Sequence, residues 1–315
     1  MIDAAVIGTG YLGRFHAEKY ARLEHARLVA VCDTDARTAQ AVAERLGTRA
    51  VTDHRALLGR VQAVSIVVPT RLHHPIARDF LEAGADVLIE KPITATVAEA
   101  DELIALARAR GRILQVGHLE RFNRAVRGLH EVLDRPRFIE SHRLAPFKPR
   151  GTDVSVILDL MIHDIDIILD IVDSPLAEVR ASGVPVLTPA VDIANARLEF
   201  TDGCVANVTA SRISLKSERK MRIFQPDAYL SLDFQERALS IHRKGPGEQF
   251  PGVPEIASER LRYEETDPLA EEIAHFLDCV RTRARPLVTG EDGRRALATA
   301  MRIARLLEET GPCPA

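Results

Sequence analysis

The sequence predicts an α/β chain of two domains: a doubly wound parallel sheet over residues 1–117 and an α+β domain with a large, mainly antiparallel open sheet over residues 118–315. Three observations lead there. Up to Gly117, short β-branched runs alternate with helical stretches, the pattern from which α/β domains build a parallel sheet covered on both faces. Beyond Gly117, strands alternate apolar and polar residues and join through tight turns, as in an antiparallel sheet with one packed face. A chain of 315 residues also exceeds what one hydrophobic core usually supports.

The first-domain strands are read at residues 3–7, 28–32, 63–68, 86–89 and 113–116. Helices lie between them at 37–46, 74–84 and 97–111, the last two ending at Gly84 and Gly111, residues suited to a left-handed C-cap. In the second domain, Ala196-Arg197-Leu198-Glu199-Phe200 alternates apolar and polar positions, Thr201-Asp202-Gly203 supplies a turn, and residues 204–210 return as its hairpin partner. Further strands are expected at 137–144, 177–186, 221–224, 229–234 and 238–242. Residues 245–262, dense in glycine and proline, read as a loop, and helices at 268–283 and 291–307 close the chain.

Composition excludes several classes. With 46% hydrophobic and 28% charged residues the chain is globular, and a net charge of −3 offers no basic excess to a nucleic acid backbone. Cys32, Cys204, Cys279 and Cys313 show no C-x-x-C pair and no framework spacing, so neither a metal cage nor a disulfide scaffold is expected. The opening Met1-Ile2-Asp3 has an acid where an export signal carries basic residues, and no apolar run reaches spanning length. A cytoplasmic protein without a membrane partner is the expectation.

Gly8-Thr9-Gly10-Tyr11-Leu12-Gly13 follows the first strand and opens a helix, the context that a G-x-G-x-x-G dinucleotide fingerprint requires. Gly8 permits the tight turn, Gly10 lets a pyrophosphate approach the helix N-terminus, and Gly13 allows close helix–sheet packing. Asp33 follows the second strand, 20 residues past Gly13, where an acid accepts hydrogen bonds from the adenosine ribose. Together they make the first domain a Rossmann domain and favour NAD over NADP, since the acid repels a 2′-phosphate; Arg37, close in sequence, moderates that preference. Asp33 could instead be a turn or N-cap residue.

Glu90-Lys91-Pro92 ends an apolar strand, and ligands of doubly wound sheets sit outside the carboxyl ends of the strands. Lys91 is therefore a candidate proton relay or hydroxyl-binding cation, and Glu90 joins the cofactor-binding set; the alternative is a surface ion pair between the two. Residues 154–172 form a nearly all-round apolar helix in which Asp159, His163, Asp166 and Asp170 recur at spacings of four, three and four, on one face. His163 is the leading general base and Asp159 its partner. The same stripe could be a solvated helix face, or Asp159, His163 and Asp166 could bind a divalent metal, although no metal-binding motif accompanies them.

The early GTGYLG, Glu90-Lys91-Pro92 and Asp159-x-x-x-His163 together resemble the Gfo/Idh/MocA oxidoreductase family, in the family's order and over essentially the whole chain. The resemblance implies hydride transfer from a sugar carbon to the nicotinamide, with Lys91, Asp159 and His163 near the reacting hydroxyl and Pro69, Thr70 and His73 at the cofactor. Gly117-His118-Leu119-Glu120-Arg121-Phe122-Asn123 is similar to a G-H-x-E-R-F-N segment of the family members that oxidise UDP-N-acetylglucosamine at C3, and residues 158–166 to their second motif. Arg124 departs from the proline expected after that segment.

The resemblance thus implies a UDP-sugar substrate contacted by Glu120, Arg121 and Asn123. It also implies a 3-keto product that a downstream aminotransferase would convert to a 3-amino sugar, as lipid A assembly requires. Chemically, Arg121 suits a pyrophosphate and Asn123 a sugar or amide, while either could instead cap or pair within the fold. Lys148 and Arg150 offer a second anion-binding loop or are simply solvated surface charges. Alternatives are a dehydrogenase of a UDP-N-acetylhexosaminuronic acid or another sugar, and a non-catalytic NAD-binding regulator. An open sheet face suggests a homodimer or homotetramer formed through the C-terminal sheet.

Overall fold

The computed structural model of the protein describes residues 1–147 and 155–310. In chain order the strands are β1 (Ile2–Ile7), β2 (Ala26–Cys32), β3 (Arg49–Val51), β4 (Ala63–Ile66), β5 (Asp86–Glu90), β6 (Leu114–Gly117), β7 (Phe138–Leu144), β8 (Leu176–Val184), β9 (Ile193–Phe200), β10 (Val205–Ser211), β11 (Glu218–Gln225), β12 (Ala228–Asp233), β13 (Ala238–Phe250) and β14 (Val253–Arg262). The α-helices are α1 (Gly13–Arg22), α2 (Ala36–Leu46), α3 (His73–Glu82), α4 (Val97–Arg110), α5 (Arg124–Leu129), α6 (Ile162–Ile171), α7 (Pro268–Thr282) and α8 (Gly290–Thr310). The chain forms two compact units. One comprises Met1–Phe122 and Asp267–Leu297, and the other comprises Asn123–Thr266 with the residues from Ala298 on. Asp267–Leu297 thus belongs with the first unit, whereas the sequence reads as two consecutive spans.

In the first unit, six parallel strands lie in the order β3-β2-β1-β4-β5-β6. Strand order reverses between β1 and β4, the switch point outside which doubly wound sheets bind ligands. At three residues, β3 is too short to show a pattern, and the sequence reading missed it. Local chemistry sets the helix ends. Asp35 caps α2 by accepting from the Arg37 N–H, and Thr96 and Glu99 form a reciprocal capping box on α4. Gly47 and Gly111 close these two helices at φ 65° and 61°, in the left-handed region. Helix α7 buries Ile273, Phe276, Leu277 and Val280 in one cluster with Ile2, Val6, Tyr20 and Leu88.

In the second unit, eight strands lie in the order β14-β13-β12-β11-β7-β10-β9-β8, antiparallel throughout except for β7 beside β10. The β9–β10 hairpin turns at Thr201-Asp202-Gly203, with Gly203 at φ 87° and the Asp202 carboxylate accepting from the Cys204 N–H. Along β7, Ile139, Ser141 and Arg143 are buried while Phe138, Glu140 and His142, on the opposite face, are half-buried.

Residues 245–262 are not a loop. β13 runs on to Phe250, turns at Gly252 with φ 77°, and returns as β14, an edge strand of the sheet. The density of glycine and proline misled because Gly245, Pro246 and Gly247 sit where the pairing register shifts between Lys244 and Glu248, and Pro254 lies on an edge; both places tolerate proline.

Candidate active site

The turn after β1 is built for close backbone packing. Gly8 sits at φ 91°, and a Cβ there would overlap the Val67 carbonyl, while a Cβ on Gly13 would overlap the Gly8 carbonyl. Nothing lies within 4 Å of the position a Gly10 Cβ would take, so the backbone there can be approached closely from outside. Leu12 stands at the N-cap of α1 without a side-chain cap, and the N–H groups of Arg14, Phe15 and His16 bond the Gly10 and Leu12 carbonyls, so an anion outside this turn meets the positive end of the helix. These features fit a dinucleotide pyrophosphate. Tyr11 is exposed and Leu12 partly so, with the Arg14 guanidinium 5.0 Å from the Tyr11 ring centre.

Asp33 is tied into this turn. Its Oδ2 accepts from the Thr9 N–H at 2.8 Å and the Thr9 hydroxyl at 3.1 Å, and its Oδ1 accepts from the Asp35 N–H at 3.0 Å. The capping role weighed for Asp33 falls to Asp35, so Asp33 remains half-buried beside the glycine loop as a carboxylate that can meet ribose hydroxyls. Arg37 is exposed in the first turn of α2.

A second loop packs behind the first. Pro69 precedes a 3₁₀ turn, Thr70–Leu72, that leads into α3, and Lys91–Pro92 is a cis peptide. The His73 ring is buried with Nδ1 2.9 Å from the Pro92 carbonyl and Nε2 2.9 Å from the Val68 carbonyl. Burial holds its pKa below the ordinary value, so the neutral ring donates to one of these carbonyls. His73, expected at the cofactor, is instead a tie between the loops that carry Val68 and Pro92, because its ring is turned inward onto the protein's own backbone.

Glu90 accepts from His16 Nε2 at 3.0 Å and from the Lys91 N–H at 3.3 Å. Lys91 is half-buried. Near it, His118 is fully enclosed, and burial first, then the positive charges of Lys91 and Arg121, pushes its pKa down to about 3. His118 is neutral at physiological pH.

The segment after β6 serves the fold more than the sequence reading expected. Arg121, in a 3₁₀ turn, is only 5% exposed, and its guanidinium donates to the Leu287 carbonyl at 3.3 Å. Asn123 is the N-cap of α5: its Oδ1 accepts from the Ala125 N–H at 3.0 Å and its Nδ2 donates to the Phe234 carbonyl at 3.4 Å. The capping alternative is therefore the one seen for Asn123. Arg124 occupies the first position of α5, where the missing N–H of a proline would be tolerated, so either residue suits the helix. Glu120 is half-buried.

In the second unit, Asp159 lies in a π-helical turn, Ile157–Met161, that runs directly into α6 and His163. A π turn inserts one residue into the helical register and is a common device at functional sites. It shifts Asp159 relative to His163, Asp166 and Asp170, which keep their spacings of three and four within α6. Asp166 is buried, Asp170 pairs with His130 at 3.0 Å, and Asp159 and His163 remain half-buried. Next to His163, Asp164 accepts from Arg143 Nε at 2.6 Å and from the Ser141 hydroxyl at 2.8 Å, which pins α6 to β7. Among the described residues no three His, Cys, Asp or Glu side chains gather as a metal site. Lys148 and Arg150 lie outside the described residues.

Residues 2–118 match the oxidoreductase family Gfo/Idh/MocA with NAD-binding Rossmann fold, and residues 129–230 match the Gfo/Idh/MocA C-terminal domain. The chain belongs to the Gfo/Idh/MocA oxidoreductase family. Among its Gfo/Idh/MocA relatives, UDP-N-acetylglucosamine 3-dehydrogenase of Acidithiobacillus ferrooxidans is 42% identical over 299 residues, which cover 95% of each chain. A solved structure of that enzyme superposes with a TM-score of 0.93 at 41% identity, covering 98% of both chains. Myo-inositol 2-dehydrogenase of Thermotoga maritima is 26% identical over 96% of each chain. As a Gfo/Idh/MocA oxidoreductase, the chain carries an NAD-binding domain in its first 118 residues. No described helix is long and apolar enough to cross a membrane.

Sequence reasoning passed over His16, His118 and Glu272 as site residues. Glu272 left a readable trace: it falls among Leu269, Ile273, Phe276 and Val280, the apolar stripe of α7, where an acid stands out.

Proposed function

We propose that this enzyme uses NAD to oxidise the C3 hydroxyl of the glucosamine ring of UDP-N-acetylglucosamine, giving the 3-keto sugar nucleotide. One observation carries the proposal: 42% identity over 95% of both chains to an enzyme named for that reaction. In this reading residues 1–117 hold NAD and residues 118–315 hold the sugar nucleotide. NAD, when bound, supplies the hydride acceptor. The glycine turn and the α1 N-terminus bind its pyrophosphate, and Asp33 its ribose. His163 takes the proton of the C3 hydroxyl, Asp159 orients it, and Lys91 steadies the developing oxyanion as a cation. Glu120 contributes to the substrate side from the segment after β6, which Arg121 and Asn123 hold in place, while Pro69 and Thr70 contribute to the cofactor side and His73 fixes the loop that carries them.

The product ketone is a substrate for an aminotransferase, which would supply a 3-amino sugar for lipid A in the cytoplasm. Purified protein with NAD and UDP-N-acetylglucosamine should form NADH and the ketone. Absence of turnover even with an aminotransferase drawing off product would refute the substrate.

We also infer a homodimer or homotetramer formed through the C-terminal sheet. The support is a row of directly paired rings on one face: Phe138, Phe224, Tyr229 and His242, with neighbouring ring centres 5.9, 4.9 and 5.3 Å apart. Apolar rings on an open sheet face favour burial against another copy. Mass measurement in solution tests this, and a monomer at micromolar concentration would oppose it.

A further inference from the structure

The parallel sheet of the first unit carries a cavity at the end opposite its cofactor turn. The glycine turn and Lys91 follow the carboxyl ends of β1 and β5. Ile2, Gln62, Asp86 and Arg112 stand at or just before the amino ends of β1, β4, β5 and β6, and with Arg281 and Arg283 at the end of α7 they line a cavity of about 480 Å³. All of these residues belong to the first unit. The volume is that of a small-molecule site.

The side chains of fixed charge in this lining are three arginines and one carboxylate. The carboxylate is engaged within the protein: Asp86, only 1% exposed, accepts from the Ile113 N–H at 2.8 Å and from Arg283 Nη1 at 2.7 and 3.0 Å. Arg112 is tied down beside it, Nε donating to the Arg110 carbonyl at 3.1 Å and Nη1 to the Gly84 carbonyl at 3.0 Å. Two guanidinium groups are thus anchored at Gly84 and Asp86, two residues apart at the start of β5. Their other N–H groups, on Arg112 Nη2 and on Arg283 Nε and Nη2, have no partner among the described residues. Arg281, at the exposed rim, pairs with Asp278. Arg283 also stands at φ 60°, the left-handed C-cap position where glycine is the usual residue, so an arginine is kept there against its backbone preference.

Two guanidinium charges anchored so close along the chain repel each other, and one carboxylate offsets only one of them. A guanidinium fork matches the oxygens of a phosphate, and one already fixed by the protein loses little freedom when it binds. We propose that this cavity is a binding site for the phosphate dianion of a small molecule, held between Arg112 and Arg283 with Arg281 at its mouth. Asp86 sets the orientation of Arg283 and is itself occupied by Arg283 and the Ile113 N–H, so it leaves the unused N–H groups to the ligand. The site lies at the other end of the sheet from the NAD crevice and does not depend on the identity of the sugar nucleotide. Free phosphate and a phosphorylated metabolite share the chemistry that these arginines recognise.

Titration calorimetry tests this on the protein saturated with NAD, which occupies the pyrophosphate site at the glycine turn. The probes are inorganic phosphate and, separately, glucose 6-phosphate. Saturable binding is expected, with a Kd in the millimolar range or tighter. It should weaken about tenfold or more in Arg112→Gln, which removes one charge and leaves the Asp86–Arg283 pair intact. Arg281→Glu, at an exposed position, should weaken it about tenfold as well, so the result does not hang on the folding of one variant. Glucose 6-phosphate binding no tighter than phosphate assigns the site to the free anion, and tighter binding assigns it to a phosphorylated metabolite that fills more of the cavity. No saturable heat with either probe up to tens of millimolar, or a Kd that either variant leaves unchanged, would overturn the proposal.

Discussion

One oxygen of Asp33 accepts both the N–H and the hydroxyl of Thr9, at 2.8 and 3.1 Å. The residue that ends β2 therefore also fixes the turn that ends β1, and a carboxylate meant for ribose hydroxyls is held in place before any ligand arrives. Asp33→Asn removes the charge and turns one acceptor into a donor. Hydrogen bonds to charged groups contribute about 1.5–3 kcal/mol, so the Kd for NAD should rise about 10- to 100-fold, with the preference over NADP narrowed. Fluorescence titration with both nucleotides reads this directly, and an unchanged Kd for NAD would contradict the assignment.

The Arg143–Asp164 pair is the buried charge that anchors α6 beside His163. Removing one partner of such a pair leaves an uncompensated buried charge, so Arg143→Met should destabilise the protein by about 3–5 kcal/mol. Combining it with Asp164→Leu should restore much of that loss. Thermal unfolding of the single and double variants, with Tm as readout, checks the expectation; equal Tm values for parent and Arg143→Met would oppose it.

Much of this was legible in the sequence where a residue's chemistry and its local pattern agree. The glycine turn, Asp33 and the parallel strands of the first unit follow from short-range rules, and so does the β9–β10 hairpin with Gly203 at its turn. The β13–β14 hairpin was hidden because its glycines and prolines sit at a register shift and on an edge, places visible only once strands are paired. The π turn at residues 157–161 shifts the register of a helix whose residue spacing looks regular, so Asp159 reads as part of one stripe with His163, Asp166 and Asp170 although it lies outside the α-helix that carries those three. His16 reaches Glu90 at the end of β5, and the Gln115 amide of β6 reaches the Glu272 carbonyl, from segments far apart in sequence, and no spacing rule brings them together.

His118 carries a pH signature. Its folded pKa of about 3 lies below the ordinary histidine value of about 6.5, so between these limits the unfolded chain binds a proton that the folded chain does not. Its contribution to stability is complete above about pH 6.5 and is lost as pH falls toward 3, with a slope of about 1.4 kcal/mol per pH unit. Relative to the parent, His118→Asn should show a shallower decline of stability from pH 6.5 to 4 in urea unfolding series. Parallel curves would mean that His118 titrates normally in the fold.

Proton transfer by a placed side chain contributes about 10²- to 10⁴-fold, so His163→Ala should lower kcat by that factor while NAD binding persists. Lys91→Ala should also depress kcat, with a pH profile altered differently from that of His163→Ala, which separates proton acceptor from cation. NAD affinity lost together with kcat in His163→Ala would place that residue in binding rather than in proton transfer.

The most direct measurement mixes the purified enzyme with NAD and UDP-N-acetylglucosamine, follows NADH at its absorbance band, and identifies the sugar product by mass spectrometry and NMR. The expected result is one ketone at C3 of the glucosamine ring for each NADH formed. NADH formation with an inositol or a UDP-hexosaminuronic acid and none with UDP-N-acetylglucosamine, or oxidation at any other carbon, would contradict the proposed function.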